Sequence, residues 1–311
     1  MSLVTTVIPA FNAQDFLKPT LECLAAQTRR PDRVILLDDR STDGTADVAR
    51  AFSGIQVEHV LNPRNLGLFP NHNRALEFAE ETDYLHILHA NDLVRPEFYE
   101  ELLGCFDDRP GAAMAFSQYE FVDESGAPAG SPGPVKFHRP REVSRHDFLV
   151  RQSELNPILI DAVLHRTNRQ PSPCLFPLDY PHLGDVVFHA NWAAEATGIF
   201  ESPKPLCRFR RHASSTTNAN TRKLQAWVID EWRAINHISA MIEEGGFARW
   251  VRARKLRCLF AARTVVKAGT FRHQPEYAGE ITREGRHQVG SLYWTLGRLA
   301  VQLRNALSRQ R

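Results

Sequence analysis

The run Tyr84-Leu85-His86-Ile87-Leu88 ends abruptly in the polar cluster His89-Ala90-Asn91-Asp92, and Pro96-Glu97 then opens a new periodic segment. That pattern predicts a buried strand delivering His89, Asn91 and Asp92 into a turn before a helix. In an open α/β sheet ligands bind beyond the carboxyl ends of the strands, so these three side chains would face a crevice and not the core. A carboxylate at a buried strand tip is costly unless something positive neutralises it, and a hard divalent cation carrying phosphate oxygens would do so. The structural alternative is Asn91 or Asp92 acting as the cap of the following helix.

The elements that must position this cluster follow from periodicity. Strand-like segments at Val4–Pro9, Arg33–Asp38, Ile55–Leu61 and Tyr84–Leu88 alternate with helix-like segments at Gln14–Gln27, Gly44–Phe52, Pro70–Ala79 and Pro96–Phe106. A fifth strand fits Ala112–Val122. This alternation predicts an α/β fold with a Rossmann-like, mostly parallel sheet covered on both faces. Gly126, Pro128, Gly130, Pro132, Gly133 and Pro134 make a segment that should not be regular, suited to a surface loop or a lid. Beyond it come short mixed elements, with a helix at Asp185–Ala196 and a short strand at Leu206–Arg210, and the pattern turns helical from Leu224. A boundary near Asn220 divides an α/β domain, 1–219, from a helical C-terminal region, 220–311.

Other strand ends carry chemistry too. The first ends Val7-Ile8-Pro9-Ala10-Phe11-Asn12, and the second ends Asp38-Asp39-Arg40-Ser41-Thr42-Asp43-Gly44-Thr45. Adjacent carboxylates beside a helix start give acceptors for a base edge and a ribose. A third loop, Asn62-Pro63-Arg64-Asn65-Leu66-Gly67, leads to Asn71-His72-Asn73-Arg74, where amides such as Asn65 and Asn73 could hold a sugar and arginine could offset phosphate charge. The Walker loop and the GxGxxG fingerprint are both absent, which argues against P-loop ATPases and nicotinamide enzymes. On one sheet edge these groups describe a nucleotide site.

Together, Val7-Ile8-Pro9-Ala10-Phe11-Asn12, Asp38-Asp39-Arg40-Ser41-Thr42-Asp43-Gly44-Thr45 and Asn65-Leu66-Gly67 with its Asn-Arg helix start resemble the family 2 glycosyltransferases of the GT-A fold, over roughly the first 215 residues. The resemblance implies a UDP- or dTDP-sugar donor, a divalent cation and inverting transfer to an acceptor hydroxyl. It further implies that Asp39 binds the base, that Pro9 and Asn12 lie against the nucleotide, and that Asp38 supports their loop. His89-Ala90-Asn91-Asp92 stands where the family carries Asp-x-Asp-Asp. Asp92 matches the metal-holding acid, Asn91 meets the ribose, and His89 replaces the first acid as a supporting group or an extra ligand. Two missing charges should weaken Mg²⁺ or Mn²⁺ binding, which leaves low metal affinity and metal independence as the two expectations.

Inversion needs a base opposite the leaving diphosphate. Gly184-Asp185-Val186-Val187-Phe188 resembles the family's acceptor-side helix start, so Asp185 is the expected base and Asp179 the alternative; a plain N-cap is the structural reading of Asp185. Pro205-Leu206-Cys207-Arg208-Phe209-Arg210-Arg211-His212 resembles the strand and basic turn in which His212 contacts the metal or the diphosphate, with Arg208, Arg210 and Arg211 as a leaving-group cradle. The processive signature Gln-x-x-Arg-Trp is missing, which predicts one sugar per encounter. A sugar nucleotidyltransferase would need a Gly-rich basic first loop that Pro9-Ala10-Phe11-Asn12 lacks, and a GT-A-fold nucleotide-binding protein without transferase activity is the non-enzymatic alternative.

The five scattered cysteines suggest free thiols in a reducing cytoplasm, with no signal peptide or transmembrane-length apolar run. From Gly245 onward there are 14 Lys or Arg against 3 Glu, and the rest of the chain has 24 against 33. Such asymmetry predicts an anionic partner at the tail. No nucleic-acid motif accompanies it. Gln288–Arg309 places Leu292, Leu296, Leu299, Leu303 and Leu307 on one face of a basic helix, fitting the inner membrane surface or a homodimer. A peripheral enzyme of that kind would meet a glycan or lipid-linked acceptor in surface polysaccharide synthesis.

Overall fold

The computed structural model describes residues 2–107, 109–133, 135–167, 174–213, 215 and 219–308; Pro134 and Arg309 lie outside them. The chain forms two compact units. The first comprises Met1–Phe148, Pro157–Asp179 and Gly184–Ser215, and the second Leu149–Asn156, Tyr180–Leu183 and Thr216–Arg311.

The first unit is built on one sheet of ten strands: β1 (Val4–Ala10), β2 (Arg33–Asp38), β3 (Glu58–Leu61), β4 (Tyr84–Ile87), β5 (Leu93–Val94), β6 (Met114–Val122), β7 (Pro128–Gly130), β8 (Arg141–Val143), β9 (Val163–Arg166) and β10 (Ile199–Arg210). Its order is β3-β2-β1-β4-β9-β6-β10-β5, with β7 on β6 and β8 on β10. β3, β2, β1 and β4 are parallel, as the strand–helix alternation requires. Beyond β4 the sheet becomes mixed, because β9 runs antiparallel to both β4 and β6. Helices α1 (Gln14–Ala25), α2 (Thr45–Ala51), α3 (Leu68–Leu76), α4 (Phe98–Gly104) and α6 (Gly184–Glu195) accompany this sheet. Between α4 and α6, α5 (Arg145–Ser153) passes from the first unit into the second.

Every residue of β1 is buried, and α1 buries Leu17, Leu21 and Leu24, one stripe at helical spacing. The chain builds β2 and β3 on one side of β1 and returns to the other side for β4. The strand order therefore reverses between β1 and β4, where a ligand crevice opens at the carboxyl edge. Pro9 fits this opening. Val7 O accepts the Leu88 amide, so Pro9, two residues on, turns its nitrogen to the same side just where β4 has ended at Ile87. A proline there forfeits no ladder bond.

Antiparallel β9 has a direct consequence for the site. Its register pairs His86 with Leu164, so Asp161, just ahead of β9, arrives beside the carboxyl end of β4. A buried hydrogen-bond chain fixes this corner: Thr6 Oγ1 lies 2.5 Å from Tyr99 Oη, Tyr99 Oη 2.8 Å from His86 Nδ1, and His86 Nε2 2.9 Å from Asp161 O. Burial lowers the His86 imidazole to about 4, so His86 is neutral, donates from Nε2 and accepts from Tyr99.

Two expectations are corrected. The Gly/Pro-rich segment after Val122 is regular in part, since β7 pairs antiparallel with β6 at Phe121 and Val122. The strand expected at Leu206–Arg210 is longer, Ile199–Arg210, because register shifts between Glu201 and Cys207 let it pass Pro203 and Pro205 without losing β6.

The second unit contains a π-helical turn, Gln225–Ile229, and helices Asp230–Ala240, Gly246–Thr270, Pro275–Val289 and Ser291–Ser308. Its core gathers Leu256, Phe260, Ile281, Val289 and Trp294. Gly297 lets the last helix lie against Ala261, where a Cβ would come within 2.6 Å of that side chain. Buried Glu231 is matched by Lys267 and Arg263.

Tyr99→Phe removes the hydroxyl that links Thr6 to His86 and leaves two buried groups without a partner. We expect a loss of about 1–3 kcal/mol in unfolding free energy, read from urea denaturation, and a wild-type midpoint would contradict the role assigned to this chain of bonds.

Candidate functional site

At the carboxyl ends of β1 and β2 the loops are stitched together. Asn12 Oδ1 accepts the Thr42 amide at 2.8 Å, the Asn12 amide reaches Ser41 Oγ at 3.0 Å, and the Ala13 amide reaches Thr45 Oγ1 at 2.8 Å. Asn12 and Arg40 adopt positive φ of 51° and 67°, a strain held by these bonds. Asp38 Oδ1 accepts the Ser41 amide and Asp38 Oδ2 lies 3.1 Å from His59 Nε2, so Asp38 supports the turn.

Asp39 is buried, and its carboxylate gathers the third loop. Oδ1 accepts from Asn62 Nδ2 at 2.7 Å and the Leu66 amide at 2.8 Å; Oδ2 accepts the Gly67 amide at 2.8 Å. Two carboxylate oxygens offer about four acceptor sites, which leaves one for an incoming N–H. Asn62 also bonds Asn71 Oδ1 and receives Arg74, making it the organising amide of this loop. Asn65, the neighbouring amide that the sequence points to, is exposed. Asn73 Nδ2 donates to Phe176 O and its Oδ1 accepts Phe176 N, so both ends of this amide pin that segment to α3.

Two strands away along the same edge lies the acidic corner, roughly 10 Å from the Asp39 loop at ordinary strand spacing. Asp92 is fully buried; Oδ1 accepts the Arg210 amide at 2.6 Å, and Oδ2 has no hydrogen-bond partner. Burial and the neighbouring Asp161 charge push its carboxyl upward, against the pull of His89. Asp161 Oδ1 accepts the His89 amide at 2.6 Å, and Asp161 Oδ2 lies 2.8 Å from His89 Nδ1. Sequence reading missed Asp161. The available signal was a lone carboxylate inside the apolar run Pro157-Ile158-Leu159-Ile160-Asp161-Ala162-Val163-Leu164.

His72 Nδ1 donates to Leu68 O at 2.7 Å, so its Nε2 presents a lone pair to His89 Nε2, 3.0 Å away. His89 thus donates from Nε2 to His72 and from Nδ1 to Asp161. Burial opposes charge on His89, but the Asp161 and Asp92 carboxylates outweigh it and hold the imidazole well above its ordinary range. One ligand atom each from His89, Asp92 and Asp161 lie within 4.8 Å of one another. Two carboxylates, an imidazole and an orphaned buried oxygen fit a divalent cation such as Mn²⁺ or Mg²⁺.

His212 stands outside that cluster. Its Nε2 accepts from Asn91 Nδ2 at 2.8 Å and its ring packs on Phe16 at 4.5 Å. Of the arginines expected as a leaving-group cradle, Arg208 bonds Glu120 and Gly126 O, Arg210 bonds Asn91 O and Glu124 O, and Arg211, just past β10, lies 3.5 Å over the Phe121 ring. Arg208 and Arg210 thus match Glu120 and the turn carbonyls beside β10.

Asp185 opens α6. The preceding Gly184 packs so closely that a Cβ would meet the Phe69 ring at 2.5 Å, which seats this helix start on α3. Burial pushes the Asp185 carboxyl up to about 6, with the His89 charge pulling it down and Asp161 adding to the rise. The alternative acid, Asp179, is exposed.

Comparison with known proteins follows the same lines. The sequence model of Glycosyl transferase family 2 matches residues 5–159, about half of the chain. The Bacillus subtilis protein TuaG, named for teichuronic acid biosynthesis, is 29% identical over 150 residues, 47% of this chain and 57% of its own length, so the chain spans little more than half of that relative. A Staphylococcus aureus TarS fragment in complex with UDP superposes with a TM-score of 0.63 at 16% identity, covering 96% of this chain and 91% of that one. The same fragment in complex with UDP-GlcNAc gives 0.59 at 14% identity, covering 93% and 92%. The mannosyltransferase PcManGT of Pyrobaculum calidifontis, in complex with GDP-Man and Mn²⁺, gives 0.55 at 17% identity, covering 98% and 81%. The fold is the GT-A fold, and the chain belongs to glycosyl transferase family 2.

Proposed function

We propose that this protein is an inverting, non-processive glycosyltransferase that moves a sugar from a nucleotide donor to an acceptor hydroxyl in a single displacement. The observation that carries the reading is the shared carboxyl edge: Asp39 at the end of β2 and Asp92 and Asp161 beside the end of β4, with Asp185 at the helix start that Gly184 seats on Phe69 of α3. Asp39 keeps one acceptor site for a base N–H, and Asn12 and Pro9 line the turn next to it. The UDP and UDP-GlcNAc complexes of TarS and the GDP-Man complex of PcManGT support a nucleotide sugar as donor. A UDP- or dTDP-sugar is the form expected here.

Asp185 takes the acceptor's proton while the acceptor oxygen bonds to the anomeric carbon and the bond to the diphosphate oxygen breaks. A general base works best with a pKa near the working pH, and a carboxyl raised to about 6 by burial is suited to that task. Asp92 and its neighbours would hold a divalent cation, which supplies charge neutralisation at the diphosphate oxygens. Asn91 and His212, joined to each other, would position a donor bound at this corner.

The second unit suggests where the acceptor is met. Leu292, Leu296, Leu299, Leu303 and Leu307 are 43–66% exposed and fall within about 80° of one helix face. Phe247 and Trp250 are also exposed and stacked at 5.9 Å, with Arg254 over Trp250. Apolar anchors on a strongly basic region suit an anionic membrane surface, where a lipid-linked or envelope glycan acceptor would be presented. TuaG's name supports polysaccharide synthesis as the setting.

Asp185→Asn should lower kcat by about 10²–10⁴-fold while leaving the melting-temperature rise produced by UDP intact. In the wild type, log(kcat/KM) should fall as pH drops below about 6, because protonated Asp185 cannot accept the proton. Undiminished turnover by the variant, or a flat profile through that range, would sink the assignment.

Flotation with phosphatidylglycerol vesicles at low salt should carry the wild-type protein upward and leave a Leu296→Glu, Leu303→Glu double variant behind. Equal flotation of the two, or a concentration-dependent dimer that the double variant abolishes, would instead assign the leucine face to another role.

A further inference from the structure

We propose that Asp161, together with Asp92 and the Nδ1 nitrogen of His89, forms a three-ligand cation site in which an acid from outside the strand-end motif replaces the one that His89 displaced. The proposal rests on the transferase reading only for the diphosphate that the cation would meet; the site itself follows from this chain's own geometry.

Three observations carry it. Asp92 Oδ2 is buried without a hydrogen-bond partner, a costly state that a coordinated cation would relieve. Asp161 Oδ2 and Asp92 Oδ2 approach the same ring nitrogen, at 2.8 Å and 3.6 Å, so the candidate ligand atoms converge on one point. His72 accepts from His89 Nε2 and thereby keeps that proton on the far side of the ring, the tautomer that leaves Nδ1 able to coordinate. On binding, the ion takes the place of the proton between His89 Nδ1 and Asp161 Oδ2, and that proton passes to solvent. His89 is the one ligand with a partly exposed side chain, so the site is reached from its side.

Asp161 is invisible to the family pattern because it lies two residues beyond the matched stretch, which ends at 159. It reaches the corner only because β9 is antiparallel to β4 and the His86–Tyr99–Thr6 chain holds its carbonyl. The chain thus retains two carboxylates at the cation while substituting the position that usually provides one of them.

The test is Mn²⁺ binding to the full chain without donor, followed by electron paramagnetic resonance, with UDP binding measured separately on the same preparations. The wild type should bind Mn²⁺ and show nitrogen modulation from a histidine ligand. Asp161→Asn should weaken binding at least about tenfold, and adding His89→Asp to it should restore affinity while abolishing the nitrogen signal. Wild-type affinity in Asp161→Asn, or a bound ion without nitrogen coupling, overturns the proposal. If UDP binds but Mn²⁺ does not, this site fails and the donor reading survives; if neither binds, the donor reading fails as well. The nitrogen signal is read on wild-type protein, so a variant that misfolds does not remove the test.

Discussion

A carboxylate taken out of water has to be met by donors, a cation or a proton, and the carboxyl edge of this sheet meets three such groups in different ways. Asp39 is satisfied by an amide side chain and two backbone N–H groups, so its charge is already solvated by the protein. Asp161 is satisfied by the His89 amide and imidazole, which outweigh the burial opposing its charge and hold its carboxyl below the usual range. Asp92 is satisfied at one oxygen only. The difference separates the edge into an end whose carboxylate is met entirely by protein donors and an end with one buried carboxylate oxygen left unmet.

That edge exists because of topology. Parallel β2, β1 and β4 deliver their last residues to one side, the order reverses between β1 and β4, and antiparallel β9 returns to the same side. Antiparallel β5 on β10 does likewise for the turn that carries Asp92, since pairing of Leu93 with Arg208 sets the Arg210 amide against the Asp92 carboxylate. Long-range pairing, not local propensity, therefore decides which acids meet.

The same distinction explains what could be read from the chain. Asp39, Asp92 and Asp185 were legible as candidates, from the pattern changes at which they sit and from the family resemblance, and β1 to β4 follow from alternation of periods. Asp161 was not, because its meaning depends on the register of β9 against β4, which the short run Val163–Arg166 does not announce. The partners of Asn73 and of the β10 arginines were hidden for the complementary reason: amide and guanidinium groups look alike in sequence whatever they bond, and here they meet backbone carbonyls, amides and Glu120. The Gly/Pro-rich segment misled through composition, since two of its residues, Pro128 and Gly130, pair with the end of β6 at an edge where proline is tolerated.

The most direct measurement is diffraction from crystals soaked with UDP and Mn²⁺, using the anomalous signal of the metal to locate it. We expect the uracil edge on Asp39, the diphosphate at the acidic corner, and the manganese peak against Asp92. Nucleotide bound away from the ends of β1 and β2, or a diphosphate with no contact to the Asp92 corner, would contradict this expectation.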